Sequence, residues 1–379
     1  KDTSADIKNN IIESNLEFGV CIEQNSSAQL EQNNIKLNQA SGILIRDAGS
    51  SAVIKNNTIE SNVRCGICIL KNASAQLDQN TIRFNQLSGI LISDADSSAI
   101  IKNNIIESNV QCGVSIIEKA SAQLEQNNIK LNQASGILIR DAVSSAVIKN
   151  NTIESNVEFG VCIAENASAQ LAQNTIRLNQ ASGILIRDAD SSAVIKNNTI
   201  ESNEQCGVGI LERASAQLEE NTIKLNQLCG IVLKYVGTSA NIKNNTIESN
   251  IWFGVCIAEN ASAQLEQNTI RLNRLAGILI RDTGSSAVIK DNTIESNVQF
   301  GVGIIKKASA QLEQNAIKLN QLSGILIRDI GSSAVIKNNT ISNNGEHGIY
   351  MLRGVIAEIK DNVVTENRCK NIKKKGFIF

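Results

Sequence analysis

The chain has 379 residues, no proline, and 3% aromatic residues. Average usage would give about nineteen prolines, so the composition indicates a regular backbone that does not tolerate proline. The net charge is -1, from 36 Lys+Arg against 37 Asp+Glu, which gives no electrostatic reason for a nucleic-acid partner. The sequence has no apolar run of about 18 residues, which excludes a membrane-spanning helix.

A glycine recurs at intervals that alternate between 23 and 24 residues, from Gly19 to Gly348. Asparagine stands nine and four residues before each of these fifteen glycines, and isoleucine stands seven before. A period of about 20 to 50 residues is typical of stacked repeat proteins. The sequence therefore predicts a repeat whose true unit is a 47-residue pair.

Within one repeat, apolar residues alternate at period two in three short runs that each end at Asn or Gly. This pattern predicts three strands, and without paired turn signals these strands are expected to stack in parallel on the next coil. One repeat then points inward Ala75, Leu77, Ile82, Phe84, Ile90 and Ile92, and outward Gln76, Asp78, Thr81, Arg83 and Leu91.

The recurring asparagines and glycines have a physical reason in a coil of this kind. Stacked side-chain amides can bond to the amides above and below, so Asn57, Asn80, Asn104 and Asn127 are expected to form a ladder. Gly66 and Gly89 are expected to supply a backbone with positive φ. Proline would remove a ladder donor in any strand.

Outward charges change sign from one repeat to the next. Six residues before the glycines the series runs Glu60, Arg83, Glu107 and Lys130, and a second series eleven before behaves in the same way. This alternation is expected only if successive coils touch, and it disfavours a slip of one coil.

The pattern Ile-x-x-Asn-x-Ile-x-x-Asn-x-x-x-Gly-Ile-x-Ile, seen from Leu77 to Ile92 with Leu in first place, resembles the right-handed parallel β-helix repeats of the pectate-lyase-like superfamily. The likeness is greatest to its carbohydrate-binding and sugar-hydrolase subgroup. The resemblance implies an all-β, right-handed β-helix of about fifteen to sixteen coils over residues 1–371. Residues 372–379 are expected to form a C-terminal cap.

No catalytic or metal centre is predicted. The chain has one histidine, His347, which is interpreted as a packing residue, and it has no His/Cys cluster, so neither a metal nor a cofactor is expected. Arg-Asp pairs such as Arg46-Asp47 recur at alternate coils, whereas an active site occurs once. They are therefore interpreted as structural turns whose carboxylates bond turn amides.

Eight of the nine cysteines fall into two columns, one residue before and two residues after the glycine. Equivalent positions in odd coils are about 9.5 Å apart, beyond disulfide reach, so the sequence predicts that Cys206 and Cys229, on adjacent coils, are the one pair able to approach. Mostly unpaired thiols favour a reducing compartment such as the cytoplasm.

Two surfaces are predicted to bind partners. The first is the outward face of the third strand, with an aliphatic stripe taken to be exposed and regular cations: Leu138, Leu185, Arg187, Leu279 and Arg281. The second is the place where the repeat breaks most, at Tyr235 and Trp252. Large aromatic side chains are common recognition anchors, although drift among repeats explains this break equally well.

Three functions are open at this point. The first is a non-enzymatic structural scaffold that binds a protein partner or self-associates, along a side face or at an uncapped N-terminal edge. The second is a carbohydrate-binding module, with polysaccharide as ligand. An enzyme acting on polysaccharide comes last, because no single group of carboxylates stands out in the sequence.

Overall fold

The computed structural model describes residues 3–375, which contain 48 strands and no helix. The chain divides into two compact units. The first comprises the residues up to Leu185 together with Asp190–Ala193, and the second comprises Ile186–Ala189 and the residues from Val194 onward. Of the predicted cap at 372–379, residues 376–379 lie outside the described part of the chain.

Each coil contributes three strands. The first eight coils contain β1 (Ser4–Lys8), β2 (Ile11–Glu13), β3 (Val20–Ile22), β4 (Ser27–Glu31), β5 (Asn34–Lys36), β6 (Ile43–Arg46), β7 (Ser51–Lys55), β8 (Thr58–Glu60), β9 (Ile67–Leu70), β10 (Ser74–Asp78), β11 (Thr81–Arg83), β12 (Ile90–Ile92), β13 (Ser98–Lys102), β14 (Ile105–Glu107), β15 (Val114–Ile116), β16 (Ser121–Glu125), β17 (Asn128–Lys130), β18 (Ile137–Ile139), β19 (Ser145–Lys149), β20 (Thr152–Glu154), β21 (Val161–Ile163), β22 (Ser168–Ala172), β23 (Thr175–Arg177) and β24 (Ile184–Ile186).

The last eight coils contain β25 (Ser192–Lys196), β26 (Thr199–Glu201), β27 (Val208–Leu211), β28 (Ser215–Glu219), β29 (Thr222–Lys224), β30 (Ile231–Lys234), β31 (Ser239–Lys243), β32 (Thr246–Glu248), β33 (Val255–Ala258), β34 (Ser262–Glu266), β35 (Thr269–Arg271), β36 (Ile278–Arg281), β37 (Ser286–Lys290), β38 (Thr293–Glu295), β39 (Val302–Ile305), β40 (Ser309–Glu313), β41 (Ala316–Lys318), β42 (Ile325–Ile327), β43 (Ser333–Lys337), β44 (Thr340–Ser342), β45 (His347–Met351), β46 (Ile356–Lys360), β47 (Val363–Thr365) and β48 (Lys370–Lys374).

In each unit these strands form three parallel sheets, here called sheets A, B and C after the first, second and third strand of a coil. Paired residues on successive coils are 23 or 24 positions apart, as in Ser4 with Ser27 and Ser74 with Ser98. The predicted all-β solenoid with three strands per coil is thereby confirmed.

The interior is filled by alternate residues of each strand, because successive side chains of a strand point to opposite faces. Ala75, Leu77 and Ile82 expose between 0% and 4% of their surface. Burying one large aliphatic side chain of this kind contributes about 1.5–3 kcal/mol. Phe84 is an exception: it was expected inside but is 49% exposed, because β11 ends at Arg83 and Phe84 begins the next corner with φ of 57°.

Asparagine ladders follow the corners between sheets A and B and between sheets B and C. In the first, the amide of Asn57 donates to Asn80 Oδ1 at 3.1 Å, and the amide of Asn80 donates to Asn104 Oδ1 at 3.0 Å. The amide of Asn104 continues the ladder to Asn127 Oδ1 at 3.0 Å. Each ladder also binds backbone groups, so these buried amides are satisfied within the interior.

The glycine of each repeat is needed for space. The expectation of positive φ at Gly66 and Gly89 is wrong, since the glycines with positive φ among the described residues are Gly49, Gly237, Gly284, Gly331 and Gly354. A Cβ at Gly89 would lie 2.8 Å from the Gly113 carbonyl oxygen and from Ile106 Cγ2. The backbone of the next coil therefore occupies the place where a side chain would begin.

The alternating charges form ion pairs between coils, as predicted. Arg83 Nε lies 2.8 Å from Glu60 Oε2, and Lys102 Nζ lies 2.9 Å from Glu125 Oε2. Each exposed pair contributes at most about 1 kcal/mol, so the main effect of these pairs is to fix which coils are neighbours.

Candidate interaction surfaces

The outer face of sheet C is not the exposed aliphatic stripe that the sequence predicts. Leu185 and Leu279 are each 6% exposed, and Leu138 is half-buried. Leu279 packs in one cluster with Cys256 and other apolar side chains of neighbouring coils. Alternation within a single strand marks these leucines as outward, but side chains of the adjacent coils cover Leu279.

The cations of this face are held at the ends of the strands. Arg187 Nε lies 3.8 Å from Asp188 Oδ2, and Arg281 Nε lies 3.5 Å from Asp282 Oδ2. The aspartates of such turns also bind backbone: Asp141 Oδ2 accepts a hydrogen bond from the Glu118 N–H at 3.1 Å. The predicted bond between the carboxylate of such a pair and a turn amide is confirmed at that position.

Tyr235 and Trp252 are both exposed, by 42% and 47%, but they lie at opposite ends of their strands. Tyr235 follows the end of β30, whereas Trp252 precedes the start of β33. These strands pair in parallel over four residues that lie between the two side chains, which separates them by at least about 13 Å along the strand direction. The structure therefore presents two single aromatic residues and does not bring them together.

Thiol contacts on the outer face of sheet C exceed the prediction. Cys65 and Cys68 pack together in the first unit, and the Ser41 hydroxyl lies 3.2 Å from Cys68 Sγ. The hydrogen bond between the two thiols raises the pKa of Cys65 and lowers the pKa of Cys68. The expectation that only Cys206 and Cys229 can approach is wrong. A cysteine just before the glycine can also contact a cysteine two residues after a glycine, as Cys65 and Cys68 do.

A second surface, which sequence reasoning missed, lies along the corner between sheets B and C. We call it the corner ridge. Its members stand five residues before the glycine in even coils and three before it in most odd coils. In the first unit they are Leu16, which is 89% exposed, and Leu37, Val63, Phe84, Val110, Leu131, Val157 and Leu178, each 40–52% exposed; in the second they are Leu225, Ile251, Leu272, Val298 and Leu319.

The backbone brings the members of the corner ridge together in pairs. The N–H of Val63 donates to the carbonyl of Asn38 at 3.0 Å, so Val63 lies close to Leu37, the neighbour of Asn38 on the preceding coil. The N–H of Val157 makes the same bond to Asn132, beside Leu131. A signal for the ridge is present in the sequence. Leu alternates with Ser five residues before the glycine, and Val alternates with Gln three before it. Both positions lie outside the strands, so the alternation within strands does not reveal them.

An open groove of about 650 Å³ follows the outer face of sheet A in the second unit. Its floor repeats from strand to strand, with serine at the first position and Gln, Asn or Val at the third, from Ser239 to Val335. The small serine side chains leave the groove open, and the flanking amides supply donors and acceptors.

His347, the single histidine, is buried with 6% exposure, and its Nδ1 accepts a hydrogen bond from the Lys370 N–H at 3.2 Å. Burial lowers the pKa of His347, and nearby Lys373 acts in the same direction. Among residues 3–375, no group of three or more His, Cys, Asp or Glu side chains is arranged to hold a metal ion. Within the same range no helix is long and apolar enough to cross a membrane.

The three parallel sheets make this protein a parallel β-solenoid. Comparison of the sequence with family models identifies the family. The model described as "Right handed beta helix region" matches residues 1–142, 88–240 and 229–378. The chain therefore belongs to the right-handed β-helix family. No curated protein matches the chain in sequence.

Solved structures agree on the fold. The A-module of mannuronan C-5 epimerase AlgE6 from Azotobacter vinelandii is 10% identical, with a TM-score of 0.51 over 93% of this chain and 91% of that one. The Vag8–C1 inhibitor complex contains a chain that is 11% identical, with a TM-score of 0.58 over 99% of both chains. At this identity the similarity concerns the fold alone.

Proposed function

We propose that this protein is a non-enzymatic scaffold that self-associates through the corner ridge. The observation that carries the proposal is the row of half-exposed apolar side chains on consecutive coils of the first unit. Monomeric proteins rarely expose a contiguous apolar surface of this kind without a partner.

Backbone conformation strengthens the case for a functional ridge. Leu37, Leu131 and Leu178 have φ of 55–57°, a left-handed conformation that bulky residues seldom adopt. Asparagine would be less strained there, and the odd coils carry serine or, at Asn343, asparagine at the same position. Leucine at a strained and exposed position stabilises nothing inside the coil, which supports a role in contact with another molecule.

A second copy of the chain matches the ridge in both period and charge. The apolar pairs recur once in 47 residues. A second copy has the same spacing, so its pairs can meet those of the first at every repeat. Beside the ridge runs the column Glu60, Arg83, Glu107 and Lys130, whose sign alternates from coil to coil. A copy displaced by one coil places opposite charges against each other, and the contacts add along the repeats.

The test is sedimentation velocity of the full chain across a dilution series. The variant Leu131→Lys with Val157→Lys should weaken association by at least about tenfold, because each buried side chain contributes about 1.5–3 kcal/mol. The matched control is Gln123→Lys with Val147→Lys, which adds the same charges on the same two coils but on the outer face of sheet A, away from the ridge. Association that survives in the ridge variant, or a native chain that is monomeric at every concentration, contradicts the proposal.

The groove on sheet A favours a second candidate function, binding of a linear polysaccharide. Its support is the regular row of serine hydroxyls and amides at the strand spacing of about 4.8 Å, which suits a polymer that repeats its hydroxyl groups. Trp252 is a further candidate contact for a sugar ring, separate from the groove, because its exposed indole can stack on an apolar sugar face.

Filling the groove is expected to abolish polysaccharide binding. Ser286→Tyr with Ser309→Tyr places two rings in its floor, and a glycan array followed by titration of acidic and neutral polysaccharides measures the result. Ser121→Tyr with Ser145→Tyr is the control, at the same strand position in the first unit. Trp252→Leu tests the aromatic residue separately. Absence of binding by the native protein removes this candidate.

A further inference from the structure

Three cysteines occur on three consecutive coils of the second unit. Cys206, Cys229 and Cys256 belong to one packed cluster on the outer face of sheet C, with Leu279 among their neighbours. They are 7%, 5% and 4% exposed, so the thiols lie just below the surface. Neither proposed binding surface uses them.

Backbone bonds and register place the three thiols next to one another. The Gly207 N–H donates to the Cys229 carbonyl at 3.0 Å, which sets Cys206 and Cys229 on neighbouring rungs of the ladder. Cys256 lies on the following coil, paired with Val232. For Cys206 and Cys229, which are in register, rungs about 4.8 Å apart lie within the Cα separations that disulfides span, about 4.4–6.8 Å.

The relation between Cys229 and Cys256, which are 27 residues apart, recurs elsewhere with measured distances. It joins Ser41 Oγ to Cys68 Sγ at 3.2 Å and Ser88 Oγ to Ser115 Oγ at 2.8 Å. In each case the residue before the glycine faces the residue two after the glycine of the next coil. Cys229 therefore contacts a thiol on either side.

The protonation of the three thiols differs in a way that suits oxidation. Hydrogen bonds with Cys206 and then Cys256 raise the pKa of Cys229. The same bonds lower the pKa of Cys206 and Cys256, against the opposing effect of burial. The two outer residues therefore have more thiolate character, which is the nucleophilic form.

We propose that Cys206, Cys229 and Cys256 form a peroxide-responsive disulfide site in which Cys229 is the shared partner. The thiolate of Cys206 or Cys256 attacks a hydroperoxide oxygen, which breaks the O–O bond and gives a sulfenic acid. With hydrogen peroxide, the released hydroxide takes a proton and leaves as water. Cys229 then attacks the sulfenic sulfur, and a second water leaves. Two thiols and one hydrogen peroxide thus become one disulfide and two waters.

Peptide mapping of the full chain tests this site. After treatment with hydrogen peroxide and alkylation, trypsin places the three cysteines on separate peptides, residues 197–213, 225–234 and 244–271. We expect loss of the alkylated 225–234 peptide and appearance of a species that links it to 197–213 or 244–271. Dithiothreitol should restore the separate peptides.

The matched control is Cys112, a buried cysteine at the same position before the glycine, whose hydrogen-bonding side chain is Ser115 rather than a thiol. Cys229→Ser should abolish every linked peptide, and it should fold, because Ser41, Ser88 and Ser135 occupy that position in other coils. Equal oxidation of Cys112 and Cys229, or loss of Cys229 without a linked peptide, overturns the proposal.

Discussion

Replacing Asn104 with alanine is expected to lower the free energy of unfolding by about 3–5 kcal/mol. The Asn104 amide donates to the Leu77 carbonyl at 3.0 Å and to Asn127 Oδ1 at 3.0 Å. Its Oδ1 accepts from the backbone N–H and the side-chain amide of Asn80 at 2.9 and 3.0 Å. Alanine removes all four bonds, at about 0.5–1.5 kcal/mol each. It leaves the buried Asn80 N–H without this acceptor, whereas Asn127 Oδ1 keeps the Asn104 backbone N–H.

Urea denaturation followed by circular dichroism measures this effect. Asn241→Ala is the control, because Asn241 is an exposed asparagine in β31 whose loss should cost less than about 0.5 kcal/mol. If both variants unfold at the same urea concentration, the ladder does not contribute to stability as described. Amide hydrogen exchange can show where along the chain the structure is weakened. The exchange rates should increase most in the coils next to Asn104.

The substitution Gly89→Ala is expected to cost about 1–3 kcal/mol, since overpacking against a fixed backbone forces neighbouring atoms to move. The added Cβ would lie 2.8 Å from the Gly113 carbonyl oxygen, from Ile106 Cγ2 and from Asn109 Nδ2. Thermal unfolding and urea midpoints both report this loss. Gly89→Asn distinguishes a need for positive φ from a lack of space for a Cβ. Asparagine tolerates positive φ but is no smaller than alanine. If space is the reason, Gly89→Asn should destabilise at least as much as Gly89→Ala.

Gly303→Ala is the control for this substitution. A Cβ at Gly303 would have as its nearest neighbour Leu279 Cδ1, at 3.2 Å, which is the end of a flexible side chain. Other coils carry Cys, Leu or Ser at this position. The expected change is below about 1 kcal/mol, and a loss as large as that of Gly89→Ala would mean that steric contact is not the reason for the repeat glycine.

Sequence patterning predicts the features that depend on one residue and its equivalent in the next coil. Asparagine spacing predicts buried amide ladders, and the alternating signs of Glu60 and Arg83 predict their ion pair. Both follow from the repeat because parallel stacking places equivalent positions one above another. Strand alternation also predicts the burial of Leu77 and Ile82, since each belongs to a short strand with one inner face.

Features that depend on corner geometry or on diagonal contacts are not predicted. In the sequence, Phe84 continues the alternation of β11, but the left-handed corner turns its side chain outward. Leu279 is predicted to be exposed because the pattern of its own strand does not show the side chains that cover it, which belong to the coils on either side. The corner ridge combines two sequence positions on different coils, and the contact of Cys229 with Cys256 crosses between two columns, so neither is visible in a single repeat.

The alternation of charge also restricts how the gene for this protein can change in length. Removing one coil, such as the one that carries Arg83, would place Glu60 beside Glu107, whereas removing two successive coils would place Glu60 beside Lys130. Unequal recombination is therefore tolerated best when it gains or loses repeats two at a time. The 47-residue pair is in this sense the heritable unit, although a single coil is the structural one.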